Sequence, residues 1–247
     1  MRSSCIRRES SYVSISHWIT WHTRLLSNGK YQTIFPDVSV QTFPLNHGRN
    51  SLGQHLSSAF FIRHDPSQRE FLFFGDVEPD AVAEKARTTN VWKAAAPKIP
   101  NTLSCIFIEC SWPSGREDDL LFGHLTPEHL GNELAALAAE IVKHRMVVRR
   151  LESDPARKKQ RRNSTTPTSQ ELHHALDGVR VYIIHCKDGD TIPPTRDVIV
   201  EQCRQVVKKK GLGAEVLLAQ QGMHLGERND TYSKPLVPYS YAVHLEI

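Results

Sequence analysis

The chain has 247 residues, 39% of them hydrophobic, with mean hydropathy −0.41 and a formal net charge of +4. That length suits one substantial domain with a sizeable core, and no apolar stretch approaches the roughly 20 residues of a membrane helix. The charge excess is local: nine Lys or Arg stand against Glu152 and Asp154 between Lys143 and Arg162, so the remainder is slightly acidic and a general nucleic-acid surface is not implied.

Residues 1–35 carry no well-defined element. The basic start, Met1-Arg2-Ser3-Ser4-Cys5-Ile6-Arg7-Arg8, has no apolar run behind it and does not read as a secretory signal. Strands are predicted over Val38–Phe43, Ser58–Arg63, Phe71–Phe74, Leu103–Ile108, Val179–Ile184 and Ala214–Leu218. The polar linker His64 to Arg69 joins the second and third as a hairpin. Thr126 as N-cap and Pro127 at the first helical position open a helix with Leu130, Leu134, Leu137, Ala138 and Ile141 on one face, running to about Arg150. A basic segment over about 150–172 cannot bury enough apolar surface to order itself; it reads as a disordered insertion, with a nuclear-localisation role as the alternative. A last helix runs from about Thr195 to Lys210, where Gly211 stops it. A hairpin-rich first half and a βα second half predict two sheets sandwiched between helices.

Five cysteines at Cys5, Cys105, Cys110, Cys186 and Cys203 show no CxxC spacing and are odd in number. Free thiols in a reducing compartment, hence the cytoplasm, are expected rather than a Cys-rich zinc site.

The chemistry gathers where apolar runs stop. Phe71 to Phe74 ends in Gly75-Asp76, Ile106 to Ile108 ends in Glu109, Val181 to Ile184 ends in His185, and Val38 to Leu45 runs into His47. Four strand-like segments ending in Asp, Glu or His predict one shared edge. Taken singly, each residue has a bland reading: a structural His47, an N-capping Asp76, a His185 that belongs to its loop. Glu109 and His124 stand 15 residues apart, and a Glu after a core strand wants a cation. That pair reads either as an oriented proton donor or as a helix-entry His that satisfies a carboxylate. Together, an anionic Asp and neutral imidazoles suit zinc, and paired divalent ions are a standard device for phosphoester hydrolysis.

Phe43-Pro44-Leu45-Asn46-His47-Gly48, Phe73-Phe74-Gly75-Asp76-Val77-Glu78-Pro79-Asp80, Glu109-Cys110-Ser111-Trp112-Pro113 and Gly123-His124-Leu125-Thr126-Pro127 resemble the class II cyclic-nucleotide phosphodiesterases of fungi, protists and bacteria. The resemblance runs from about Gln41 to Leu225, apart from the basic insertion. It implies an α/β metallo-β-lactamase-like αββα sandwich over 36–149 and 173–247, and a soluble hydrolase of 3′,5′-cyclic nucleotides such as cAMP. It also implies two zinc ions, with His47, Asp76 and His185 at ligand positions, Asp76 as the bridge, and His124 with Glu109 as the catalytic pair at the leaving oxygen. The fold's main metal signature, His-x-His-x-Asp-His, is absent from the 247 residues; His17 and His22 do not reproduce it, and His173-His174 comes too late. The resemblance therefore implies an N-terminally incomplete fold with exposed apolar sheet surface, weak metal binding and little activity. The alternatives are a non-catalytic interaction module and an RNA-processing phosphodiesterase of the same fold.

Overall fold

The computed structural model describes residues 29–153, 167–187, 189 and 191–223. The compact unit Leu26–Ala219 holds every helix and strand among the described residues; Gln220–Met223 close a single turn, in which the Met223 N–H donates to the Gln220 carbonyl at 3.1 Å. His17, His22, Cys5 and the core of the basic segment lie outside the described residues.

Among the described residues, seven strands form one mixed sheet in chain order: β1 Gln32–Phe35, β2 Val38–Asn50, β3 Gly53–His64, β4 Arg69–Phe74, β5 Leu103–Glu109, β6 Arg180–Ile184 and β7 Glu215–Leu218. The first four pair antiparallel and the rest parallel. The two predicted sheets are thus one continuous sheet among the described residues, because β4 pairs with β3 on one side and with β5 on the other.

Helix α1, Thr88–Ala95, links β4 to β5; α2, Pro127–Ser153, and the short α3, Ser169–Leu172, link β5 to β6; α4, Thr195–Lys209, links β6 to β7. Crossovers between successive neighbours share one hand, so their helices fall on one face of the sheet. That face is the core: Val91 and Trp92 of α1, Leu130, Leu134 and Ile141 of α2, and Ile199 and Cys203 of α4 pack with Leu72, Phe74, Ile106, Ile108, Val181 and Ile183. Period-2 alternation sends Phe71, Phe73, Phe107 and Tyr182 to the other face. Phe107 stacks on Tyr182 with centroids 4.9 Å apart, Phe71 and Phe73 lie at 5.7 and 6.2 Å from Phe107, and both Phe107 and Tyr182 are buried.

The helix read to about Arg150 reaches Ser153, and α3 occupies the far end of the segment read as disordered. Between them, 154–166 lies outside the described residues. The sequence reading also passed over β1 and α1. Both carried signals: Pro36-Asp37 between two apolar runs is a two-residue hairpin turn, with Asp37 at φ 64°, and Thr88, Val91, Trp92 and Ala95 have helical spacing and are all buried.

Candidate active site

The directions of the strands decide what meets. Because β4, β5 and β6 are parallel, Asp76, Glu109 and His185 emerge at one edge of the sheet. Strand β2 runs the same way as β4, two antiparallel steps removed, so its C-terminal half reaches that edge too. His47 does not follow β2, as the sequence suggested, but lies inside it at a break in register between Asn46 and Arg49, where a bulge re-aims side chains.

Asp76 stands between two imidazoles. His47 Nε2 lies 3.4 Å from Asp76 Oδ2 and His185 Nδ1 lies 2.7 Å from Asp76 Oδ1. His47 Nδ1 is 3.1 Å from the Gly123 carbonyl, which can only accept a hydrogen bond, and Nε2 is the ring nitrogen that faces Asp76. His185 Nδ1 is buried and, despite its short distance to Asp76, makes no aligned hydrogen bond. Contact with His185 holds the Asp76 carboxyl below its usual range, against the opposing effect of burial. Asp76 in turn pushes the His185 imidazole up. His185 sits at φ 52°, a left-handed conformation that costs a non-glycine residue roughly 1–3 kcal/mol and occurs where surrounding structure enforces it.

The second layer centres on Glu109, which is fully buried. His124 Nδ1 lies 2.8 Å from Glu109 Oε1, and the Val77 N–H donates to the same oxygen at 3.0 Å. The Ser111 hydroxyl lies 2.6 Å from Glu109 Oε2 and 2.8 Å from the His185 carbonyl; with one proton it donates to one of them at a time. Ser111 was quoted in the family motif but given no part; it ties the carboxylate to the loop carrying His185. Glu78, likewise unassigned, stands beside His47, and burial raises its carboxyl although the Gly48 N–H opposes this.

The His124 ring lies edge-on to both other imidazoles, with centroids 4.9 Å from His47 and 5.2 Å from His185. Two glycines permit this approach. A Cβ on Gly123, which sits at φ 79°, would lie 2.6 Å from the His47 carbonyl carbon, and one on Gly48 would lie 3.2 Å from the Gly123 Cα. All five predicted residues therefore converge. Donor atoms of His47, Asp76 and His124 lie within 4.8 Å of one another, as do those of Glu109, His124 and His185; the second group owes its closeness partly to the Glu109–His124 hydrogen bond.

The 3′,5′-cyclic-nucleotide phosphodiesterase of Schizosaccharomyces pombe is 44% identical over 120 residues, 48% of this chain and 34% of that protein. The 3′,5′-cyclic-nucleotide phosphodiesterase 1 of Saccharomyces cerevisiae is 32% identical over 185 residues, 73% of this chain and 42% of that one. The crystal structure of unliganded yeast PDE1 superposes with a TM-score of 0.59 at 25% identity, covering 78% of this chain and 47% of that one. The chain thus spans less than half the length of each. The family model for class II cAMP phosphodiesterases matches residues 6–222, a span that takes in the whole constellation from His47 to His185, and the chain belongs to that family.

Proposed function

We propose that this chain carries part of a metal-dependent centre that hydrolyses a 3′,5′-cyclic nucleotide, cAMP foremost, to the 5′-monophosphate. The observation that carries this reading is a carboxylate flanked by two imidazoles beside a third imidazole that a buried glutamate orients. The donors fit divalent zinc. His47 Nε2 and the buried His185 Nδ1, which makes no aligned hydrogen bond, each face one oxygen of Asp76, and these three residues would hold the metal. When bound, such ions activate water and neutralise charge on phosphorus.

The residues of the chain do the rest. Glu109 fixes the His124 ring through Nδ1, which leaves Nε2 as the nitrogen from which a proton would pass to the departing 3′ oxygen. Ser111 and the Val77 N–H hold Glu109 in turn. A cytoplasmic location is part of the same proposal and is supported by the free thiols Cys105, Cys110, Cys186 and Cys203.

Zinc titration of the chain followed by cAMP hydrolysis tests the proposal. The expected outcome is fewer than two tightly held ions per chain, because the His-x-His-x-Asp-His donors are absent from it, and slow formation of 5′-AMP that His124→Gln and Asp76→Asn abolish. Formation of 5′-AMP indifferent to both substitutions, or failure of the zinc-loaded chain to bind either nucleotide, would overturn it.

A further inference from the structure

Phe122 is the residue the proposed chemistry leaves unexplained. It precedes Gly123-His124, is 65% exposed, and sits at φ 54°. An aromatic residue in the left-handed region is a genuine outlier, and its ring covers no core.

The loop that presents it is anchored throughout. The Trp112 Nε1–H donates to the Leu121 carbonyl at 2.8 Å, and the Arg116 Nε–H donates to the Leu120 carbonyl. Asp118 pairs with His129 of α2 at 3.2 Å, and the Ser114 N–H donates to Gln202 Oε1 of α4 at 3.0 Å. On its other side, the backbone at 122–123 lies against Gly48, next to His47. The strain at Phe122 is therefore imposed by a rigid frame, and the frame holds an exposed apolar ring on the backbone segment that meets Gly48, next to His47. The Arg116 guanidinium lies 3.7 Å from the Trp112 ring centroid and 5.7 Å from that of Phe122, so Phe122 is braced from the loop side.

Resting on the phosphodiesterase reading, we infer that Phe122 is the platform on which the base of the nucleotide substrate stacks. A cyclic nucleotide whose phosphate meets Asp76 and His124 has its base within a few ångströms of that phosphate, and a pre-positioned aromatic face binds any base without selecting by hydrogen bonds. Holding the ring in place beforehand removes the ordering cost from binding.

The test compares 5′-AMP with ribose 5-phosphate, which lacks the base, by calorimetric titration of the zinc-loaded full chain. The wild type is expected to bind 5′-AMP about 5- to 150-fold more tightly, the equivalent of ~1–3 kcal/mol for one base–aromatic stack. Phe122→Gly should erase that preference and leave ribose 5-phosphate binding within about twofold, while its thermal midpoint rises because glycine relieves the strained φ. Phe122→Trp should keep the preference. A base preference that survives Phe122→Gly, or equal weakening of both ligands, would overturn the assignment alone. Binding of neither ligand by the wild type would remove the phosphodiesterase reading and this inference with it.

Discussion

Ser111 shows how much one hydroxyl can hold. Ser111→Ala removes the one hydroxyl proton shared between Glu109 Oε2 and the His185 carbonyl, and leaves Glu109 Oε2 only the long contact from the Leu125 N–H at 3.4 Å. Urea denaturation should register a loss of about 1–3 kcal/mol. Glu133 offers a pH-dependent counterpart on the core side. It accepts the Asp80 N–H and the Trp92 Nε1–H, both at 2.8 Å, and burial raises its carboxyl above the usual range. A raised pKa means the folded state holds the proton more tightly than the unfolded chain does. The stability this contributes is complete below the ordinary glutamate range and is lost as pH climbs through the raised value. Urea midpoints of the wild type should therefore fall relative to those of Glu133→Gln across that interval, and parallel curves would count against it.

At the scale of elements, α1 depends on a cap from outside itself. Arg87, its N-cap residue, makes no side-chain cap; instead Asp80 accepts the Thr88 N–H at 3.0 Å and the Thr89 N–H at 2.7 Å. Asp80→Ala should cost about 0.5–2 kcal/mol and loosen Trp92, visible as a weaker near-ultraviolet circular dichroism signal. Helices α2 and α4 meet at Gly131, where a Cβ would come 2.3 Å from Val206 Cγ1. Gly131→Ala should therefore destabilise by about 1–3 kcal/mol as the helices are pushed apart, and Val206→Ala should recover much of it in the double variant. Long elements with clean periodicity were legible before any coordinates: α4 begins at Thr195 as read, and the core strands keep their places. The short α1 was not read despite its helical spacing, since Arg87 at its N-cap position offers no capping side chain and Asp80, eight residues before Thr88, supplies the cap.

For the whole molecule, the edge where β2, β4, β5 and β6 deliver their polar residues decides everything chemical. Gly123→Ala tests that convergence, because the new methyl meets the backbone of His47 and the positive φ disfavours it. Lower zinc affinity together with a lower melting temperature is the expected result; unchanged zinc affinity would mean that the His47–His124 approach is not needed for binding.

Apolar runs that stop at Asp76, Glu109 and His185 were enough to name the candidate residues, because strand endings and residue chemistry are local properties. Their partners were not legible. Whether Asp76 faces one imidazole or two, that Ser111 spans Glu109 and the His185 loop, and that Phe122 stands strained on the segment that meets Gly48 all depend on strand order and on loops crossing at Gly48 and Gly123. Distances between residues 29 or more apart in the chain are set by packing of the whole sheet and its helices, and only the tertiary structure supplies them.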